Sequence, residues 1–427
     1  MTSTARDRLS SLSSHIMGST SPSVFTAALV AAAPEDPLFG LMKAYREDPS
    51  DKKIDLGIGA YRDNNAKPWI LPVVKKADDA IHHDPSLNHE YLSIGGLAEF
   101  TSAAQKLIVG ADSPAIREKR VRSSLSPPQT QRTDHPQICT LQTVSGTGAV
   151  HLGGLFLSKF HPQKPTVYLS NPTWANHNQI FTNVGLPLAN RTPGSIIVLH
   201  ACAHNPTGVD PTESQWKQIA HLMRTRTHFP FFDTAYQGFA SGDLVRDSWA
   251  IRYFIEQGFE LCVAQSFAKN FGLYGERTGA FHFVSAPGAD ATLSSAHVAS
   301  QLAILQRSEI SNPPAYGARI ASRILNDPVL FKEWEADLRT MSGRILEMRR
   351  GLRERLEKKR TPGSWDHITS QIGMFSFTGL SEEQVMRLRS QWHVYMTKNG
   401  RISMAGLNTN NIDYFAEAVD SVVRESA

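Results

Sequence analysis

The chain has 427 residues, of which 41% are hydrophobic and 20% are charged. This composition is typical of a soluble globular protein large enough for two or three packed cores, and it excludes disordered and fibrous proteins. Lysine and arginine number 44 against 40 aspartate and glutamate residues, so the net charge is only +4 and no nucleic-acid partner is implied.

The start of the chain carries no membrane signal. Its longest apolar stretch, residues 24–33, ends at Pro34 and is about half of the roughly 20 residues that a helix needs to cross a bilayer. We therefore expect no membrane partner. Residues 1–23 are rich in Ser and Thr and are expected to form an extension without fixed structure, which resembles a transit peptide only faintly.

The cysteines number three, Cys139, Cys202 and Cys262. An odd number without paired spacing favours neither a disulfide framework nor a zinc site, so no metal is predicted. A reducing compartment fits this pattern best.

Strand-like apolar runs alternate with helical patterns through the middle of the chain. The runs lie at 138–144, 166–170, 195–201, 229–232 and 261–264, and the helical patterns include 150–160 and 213–224. This alternation predicts an α/β fold with a mostly parallel central sheet and helices on both faces. Beyond about residue 326, long helical patterns, including an amphipathic one at 344–360 with a solvated face, and a short strand at 374–378 predict a second, smaller layer.

A glycine turn follows the first of these runs. Residues 145–149 read Ser-Gly-Thr-Gly-Ala and open the helical pattern 150–160. A strand, a glycine turn and a helix N-terminus together present free backbone N–H groups and the positive end of the helix dipole, which suit a phosphate. Many such turns are merely tight connections, so this motif alone leaves both interpretations open.

Three further strand ends carry polar residues, Asn205, Asp233 and Lys269. Taken singly, they are typical of a turn, a cap and a solvated lysine. Ser266 and Arg277 flank the lysine and suit an anion, and a desolvated lysine can form a Schiff base. Because ligands collect at the carboxyl ends of strands in open α/β sheets, we interpret these groups together. They provide what pyridoxal phosphate requires: an anion for its ring nitrogen, a helix N-terminus and an arginine for its phosphate, and an amine for its aldehyde.

Further sequence motifs follow one another along most of the chain and accompany these candidate cofactor residues. They lie at 56–62, 88–92, 171–174 (Asn-Pro-Thr-Trp), 200–208, 232–239, 266–277 and 400–404 (Gly-Arg-Ile-Ser-Met). With these motifs, the sequence from about residue 24 to 423 resembles the aspartate aminotransferases, pyridoxal-phosphate enzymes of fold type I. The resemblance implies a large cofactor-binding domain at 69–340, and a smaller α+β domain formed by an N-terminal arm and first part at 24–68 and a second part at 341–427.

The resemblance also implies roles for the candidate residues. Lys269 would bind the cofactor aldehyde and then act as the general acid/base, and Asp233 would pair with the pyridinium nitrogen. Tyr236 and Asn205 would bind the ring oxygen, and Trp174 would stack on the ring. The other implied cofactor ligands are Ser145, Gly146, Thr147, Ser266 and Arg277, with Tyr91 reaching across from the partner subunit.

Two arginines would define the substrate. Arg401, near Gly59, would grip the substrate α-carboxylate as a bidentate fork, and Arg307 of the other subunit would bind the distal carboxylate. Trp174 and Asn205 would also contact the substrate. The implied reaction is a reversible ping-pong transfer of the amino group from L-aspartate to 2-oxoglutarate, giving oxaloacetate and L-glutamate in a homodimer with shared active sites. An aromatic amino acid aminotransferase is the alternative with the same chemistry.

Two segments depart from the family pattern. An insert at about 122–140 precedes the glycine turn, and it either loops out or disturbs the strand that positions Ser145. Only residues 191–194 remain where the family has a strand and a helix, and this deletion near 190–194 is expected to expose apolar surface on the neighbouring strand and helices. A catalytically impaired or non-catalytic chain is therefore a further alternative. The body of the chain resembles fungal cytosolic forms, which implies the cytoplasm, with the mitochondrion as the alternative.

Overall fold

The computed structural model describes residues 36–113, 138–163, 165–188, 193–288 and 291–425, together with 4, 25, 29–34, 116 and 121–123. The strands are β1 (Ile54–Asp55), β2 (Val121–Ser123), β3 (Ile138–Val144), β4 (Val167–Tyr168), β5 (Ile196–His200), β6 (Phe229–Thr234), β7 (Leu261–Ser266), β8 (Thr278–Val284), β9 (Phe375–Phe377), β10 (Val394–Tyr395) and β11 (Arg401–Ser403).

The main sheet has seven strands in the order β2-β3-β8-β7-β6-β5-β4. Strand β8 runs antiparallel to both of its neighbours, and the other pairs are parallel. The predicted mostly parallel α/β sheet is therefore confirmed, and β3 to β7 end within two residues of the predicted runs. The sequence patterns did not predict β8, because it opens with Thr-Gly-Ala and glycine and alanine are depleted in strands.

Helices cover both faces of the main sheet. The helices are α1 (Pro37–Glu47), α2 (Pro72–His82), α3 (Ala98–Val109), α4 (Ser145–Phe160), α5 (Asn176–Asn183), α6 (Glu213–Thr225), α7 (Leu244–Asp247), α8 (Trp249–Glu256), α9 (Ala291–Glu309), α10 (Tyr316–Asn326), α11 (Pro328–Lys358), α12 (Asp366–Ser370), α13 (Glu382–Trp392) and α14 (Ile412–Arg424). One face of the main sheet packs on α4, α5 and α9, and the opposite face packs on α3, α6 and α8. Among the helices of the described residues, none is long and apolar enough to cross a membrane.

Helix α4 lies unusually close to the sheet. A Cβ atom placed on Gly153 would lie 2.4 Å from the ring of Phe281 and 2.7 Å from the ring of Phe231. The absence of a side chain therefore lets the helix backbone settle directly on two buried aromatic rings. This close approach fixes the position of the helix whose N-terminus forms the glycine turn.

Besides the hydrophobic cores on the two faces of the main sheet, a third core contains residues from near both ends of the chain. Strand β1 pairs with β10, and β9 pairs with β11, in two small sheets. Helix α11 has 31 residues and begins at Pro328. The preceding residue, Asp327, accepts hydrogen bonds from the N–H groups of Val329 and Leu330 through its carboxylate, as expected of an N-cap. The predicted amphipathic helix at 344–360 is the second half of α11, which ends two residues earlier.

The insert leaves the strand before the glycine turn intact. Its first residues form β2, which pairs in parallel with the start of β3, with Val121 opposite Ile138. All seven residues of β3 are paired with β8, so Val144 lies opposite Thr278. Of the two alternatives for the insert, the disturbance of this strand is therefore wrong, and residues 124–137 of the insert lie outside the described residues.

The deletion leaves β4 at the edge of the main sheet. This strand has two residues, and Val167 forms a further parallel bridge with Leu188, while residues 189–192 lie outside the described residues. On one face of this edge Val167 and Leu186 are buried, whereas on the other face Ile197 and Leu199 of β5 remain partly exposed. The expected apolar exposure thus appears on one face only.

Candidate active site

Most of the predicted site residues surround one cavity at the carboxyl ends of the strands. The cavity has a volume of about 240 Å³. It is lined by Ser145, Gly146, Thr147, Trp174, His200, Cys202, Asn205, Asp233, Ala235, Tyr236, Ser266, Lys269 and Arg277. Of these, His200, Cys202 and Ala235 were not predicted. The convergence of separate strand ends is what open parallel sheets produce.

The glycine turn and Arg277 form a positively polarised cradle. Ser145 donates its backbone N–H to the Arg277 carbonyl at 2.9 Å, and its Oγ lies 3.2 Å from that of Ser266. A Cβ on Gly146 would lie 2.9 Å from the Ser266 Cβ, so only glycine fits here without displacing the neighbour. The unpaired N–H groups of the first turn of α4 and the Arg277 guanidinium suit a phosphate-sized anion.

Backbone strain marks the same cradle. Ser145 has φ +60° and Arg277 has φ +51°, in the left-handed region that residues with side chains rarely adopt. Such conformations persist where the surrounding structure enforces them, and they concentrate at functional sites. Here the pairing of β3 with β8 provides that enforcement.

Asp233, in β6, is held by a chain of hydrogen bonds that sequence reasoning missed. His177 Nε2 lies 3.1 Å from Asp233 Oδ2, and since a carboxylate only accepts, the histidine donates. Thr173 Oγ1 then lies 2.9 Å from His177 Nδ1 and 3.2 Å from His200 Nε2. His200 is buried, which lowers its pKa to about 3, so it stays neutral and can donate to the threonine.

The charge on Asp233 follows from these contacts. Burial raises the pKa of its carboxyl, but the hydrogen bond from His177 and the positive charges of nearby groups, including Lys269, outweigh burial, so the pKa lies below its usual value. Asp233 is therefore a carboxylate at neutral pH. His200 could have been predicted, since it ends β5 beside Asp233, but His177 lies on helix α5 and no strand-end pattern indicates it.

Lys269 follows β7 and points into the cavity. Its Nζ lies 5.7 Å from the centre of the Tyr236 ring. Desolvation lowers the pKa of this lysine; the negative charge of Asp233 opposes the shift and the positive charge of Arg277 adds to it. Burial and the charge of Asp233 raise the pKa of Tyr236, so the phenol keeps its proton. The site thus offers an amine that loses its proton more easily than an exposed lysine.

The turn that carries Asn205 is held by hydrogen bonds to the side chain of Asp210. The Asp210 carboxylate accepts hydrogen bonds from the N–H groups of Ala203 at 2.6 Å and His204 at 2.9 Å. Trp174 stands at the edge of the cavity, with its ring centre 5.1 Å from that of His177. The indole and the amide both line the cavity.

Arg401 lies beside the cavity rather than in its lining. It is buried and donates from Nη2 to the Gly57 carbonyl at 2.9 Å, and its guanidinium stacks 4.3 Å over the Phe375 ring. A Cβ on Gly59 would approach this ring to 3.1 Å, so Gly59 belongs to the same pocket. Arg401 Nε is buried without a hydrogen-bond partner among the described residues, which leaves an open donor for a carboxylate ligand.

Tyr91 and Arg307 are not brought to the cavity of their own chain. Tyr91 is 84% exposed, and Arg307, also exposed, donates to Ser311 Oγ at 2.9 Å. Neither residue lines the cavity of its own chain, and their action on the site of a partner subunit stays a prediction.

A family model described as aminotransferase class I and II matches residues 51–419. The chain belongs to this family. Family members depend on pyridoxal phosphate, and they catalyse transfer of amino groups. The predictions of an aminotransferase and of its α/β fold are confirmed.

Individual relatives of this aminotransferase cover nearly the whole chain. A cytoplasmic aspartate aminotransferase from Saccharomyces cerevisiae is 49% identical over 416 residues, which are 92% of this chain and 95% of the relative. The solved structure of an aspartate aminotransferase from the S. cerevisiae cytoplasm, 46% identical, matches with a TM-score of 0.88 over 95% of this chain and 100% of that chain. An aromatic-amino-acid aminotransferase from Burkholderia pseudomallei, solved covalently bound to pyridoxal phosphate, is 36% identical, with a TM-score of 0.86 over 94% of this chain and 100% of that one.

Proposed function

We propose that this chain is a pyridoxal-phosphate-dependent aspartate aminotransferase, which transfers the amino group of L-aspartate to 2-oxoglutarate and yields oxaloacetate and L-glutamate. The observation that carries the proposal is the cavity in which a desolvated lysine, a buried carboxylate and an anion cradle meet. Relatives at 46% and 49% identity bear the name aspartate aminotransferase.

The donor set fits the cofactor. The cradle of Ser145, Gly146, Thr147, Ser266 and Arg277 suits a phosphate, because it combines free N–H groups, hydroxyls and a guanidinium. When bound, pyridoxal phosphate supplies an aldehyde carbon that takes up the amino group and a pyridinium ring that accepts the electron pair of the broken Cα–H bond.

Asp233 and its neighbours would hold and orient the ring. As a carboxylate with a lowered pKa, Asp233 would favour the protonated form of the ring nitrogen. The hydrogen bond from His177 fixes the carboxylate in place. Tyr236, whose phenol stays protonated, and Asn205 would donate hydrogen bonds to the ring oxygen, and Trp174 would stack on the ring.

Lys269 would move the proton at the substrate Cα. Its lowered pKa raises the fraction of neutral amine at physiological pH, which is the form that abstracts a proton. The same amine, which lines the cavity, would then return the proton as a general acid. Lys269, Asp233 and Tyr236 are thus the proposed catalytic residues.

Two guanidinium groups would select the substrate. Arg401, with an open Nε donor next to Gly59, would bind the α-carboxylate as a fork. Arg307 would bind the distal carboxylate from the partner subunit, which selects aspartate and glutamate over neutral amino acids.

We propose a homodimer on the same grounds. Tyr91 and Arg307 are exposed on the single chain, and so are the apolar side chains of Ile70 and Ile304, at 66% and 62%. Large exposed apolar side chains near functional groups are typical of surfaces that a partner covers. A second subunit would bury them and supply Tyr91 and Arg307 to the opposite site.

We also propose the cytoplasm as the compartment, because the yeast relatives are named as cytoplasmic. The proposed domain division keeps the boundaries 24–68, 69–340 and 341–427. The pairing of β1 with β10, which joins residues near both ends of the chain, supports it.

The test is a spectroscopic half-reaction. The purified protein is reconstituted with pyridoxal phosphate, and the absorption band of the lysine-bound cofactor is followed as L-aspartate is added. The proposal expects the band to be replaced by that of the amine form, and to return with 2-oxoglutarate. Lys269→Ala should show neither change. A wild-type protein that binds no cofactor would instead support the non-catalytic alternative.

A second variant separates the two substrate classes. Arg307→Leu should abolish turnover of aspartate and leave turnover of an aromatic amino acid intact, because only the dicarboxylic substrate needs the second fork. Equal turnover of aspartate in variant and wild type would refute the role of Arg307 and favour the aromatic alternative.

A further inference from the structure

A buried arginine outside the cavity holds one short segment of chain. Arg349, on α11, is 1% exposed and donates hydrogen bonds to three backbone carbonyls. Its Nη1 lies 2.9 Å from the Ile368 oxygen, and its Nη2 lies 2.9 Å from that of Gly373 and 2.5 Å from that of Phe375. All three carbonyls belong to the segment 368–375, which leads from α12 into β9.

Burying the charged side chain of Arg349 is energetically unfavourable. Burial lowers the pKa of Arg349 to about 9, so the guanidinium stays charged at neutral pH. Its hydrogen-bond partners among the described residues are neutral carbonyls, and its Nε has none. A buried charge without a counter-ion is unfavourable compared with an apolar side chain in the same place. The burial of this charge therefore indicates that Arg349 fixes the segment and does not merely fill the core.

The segment 368–375 packs on the turn that carries Asn205. The Ile372 N–H donates to the Gly208 carbonyl at 2.7 Å, and Gly208 has φ +67° with no room for a Cβ, which would lie 2.8 Å from the Phe375 oxygen. Gly373 is equally confined, because a Cβ there would lie 2.3 Å from the Cβ of Ala203. The segment thus fits closely against one wall of the site.

The last residue of the segment also contacts the substrate arginine. The ring of Phe375 lies under the Arg401 guanidinium, and Phe375 pairs with Ser403 across β9 and β11. The carbonyl that Arg349 binds and the ring that supports Arg401 therefore belong to the same residue. A shift of the Phe375 backbone would move the ring and with it the surface on which Arg401 lies.

We infer that Arg349 is a positioning residue for recognition of the substrate α-carboxylate, which it serves by fixing Phe375 beneath Arg401. The inference rests on the proposed function, because it assigns Arg401 to the substrate. Arg349 contacts neither substrate nor cofactor. Its effect is on binding, so it should change KM and leave the chemical step at Lys269 largely untouched.

The experiment compares Arg349→Met and Arg349→Lys with Arg355→Met, a matched arginine on α11 whose partner is the exposed Asp413. For Arg349→Met, we expect KM for L-aspartate and for 2-oxoglutarate to rise by a similar factor of roughly ten, which corresponds to one weakened charge-assisted hydrogen bond, with kcat within about threefold of wild type. Calorimetric binding of maleate, an unreactive dicarboxylate, should weaken by the same factor. Arg349→Lys should recover part of the loss, and Arg355→Met should match the wild type.

A purely structural role would give a different result. Loss of folded protein lowers the number of active sites but leaves KM and the maleate Kd unchanged, and that outcome would overturn the inference. If Arg349→Met does not fold, Phe375→Leu removes the supporting ring while keeping Arg349 in place. Phe375→Leu should show the same rise in KM, and an unchanged KM would overturn the inference. A wild-type protein that does not transaminate aspartate would instead refute the proposed function.

Discussion

Replacing Gly153 by alanine should destabilise this protein, although alanine is the better helix former. Within a helix, alanine is favoured over glycine by about 1 kcal/mol. At Gly153, however, the new methyl group would lie 2.4 Å from the Phe281 ring and 2.7 and 2.8 Å from the Phe231 ring. Both rings are fully buried, so neither can move away, and overpacking of this kind costs about 1–3 kcal/mol.

The neighbouring glycine provides a matched control. A Cβ on Gly154 would lie 3.3 Å from the nearest atoms, on Phe181 and Val184, a tight contact that a small shift can relieve. The gain in helix propensity is the same at both positions, so the difference between the variants isolates the packing cost. We expect Gly153→Ala to be less stable than Gly154→Ala by about 1–3 kcal/mol.

Denaturant titration of the two variants and the wild type measures this difference. Gly153→Ala should also bind inorganic phosphate more weakly, because a displaced α4 moves the N–H groups at its N-terminus. If the two variants unfold at the same denaturant concentration, the close approach of α4 to the sheet does not limit stability, and the reasoning is refuted.

Two further predictions concern carboxylates. Asp233→Asn removes the charge that the proposed function places opposite the ring nitrogen. Breaking a buried pair costs about 3–5 kcal/mol, so kcat should fall roughly 10²- to 10⁴-fold. A kcat within tenfold of wild type would contradict the proposed role. Burial raises the pKa of Asp247 to about 6, so its protonated form favours the folded state. Its contribution to stability is complete below pH 4 or so and is lost as the pH rises through about 6, by about 3 kcal/mol for two pKa units. Denaturant titrations across this range should show the loss in the wild type and not in Asp247→Asn; parallel profiles would contradict it.

The part of the site that was predictable is the part that local chain geometry determines. The glycine turn after β3 is a strand followed by a helix start, and the strand ends at Asp233 and Lys269 meet because parallel strands end at one edge of the sheet. These residues line one cavity. Their roles remain proposals, but their proximity followed from the order of the elements.

The residues that were missed depend on contacts between distant elements. His177 reaches Asp233 only because α5 folds across the strand ends, and nothing in its sequence neighbourhood indicates a carboxylate partner. Arg349 is a different case. It lies one helical turn from Ile345 and shares the buried face of α11 with Leu352, so its position within the apolar stripe was a signal that it is buried. Its charge suggested the solvated face instead.

Because β3 is paired with β8 along its whole length, the position of the cradle does not depend on how many residues precede β3. Seven consecutive residue pairs end with Val144 opposite Thr278. Val144 comes directly before Ser145 of the cradle, and Thr278 directly after Arg277. A slip of one residue would turn every side chain of β3 to the opposite face, so the pairing with β8 fixes the register of β3 as far as Val144. The paired strands therefore fix the position of the cradle within the sheet. Residues added before Ile138 therefore lengthen the chain upstream of the paired strand and leave the position of Ser145 relative to Arg277 unchanged.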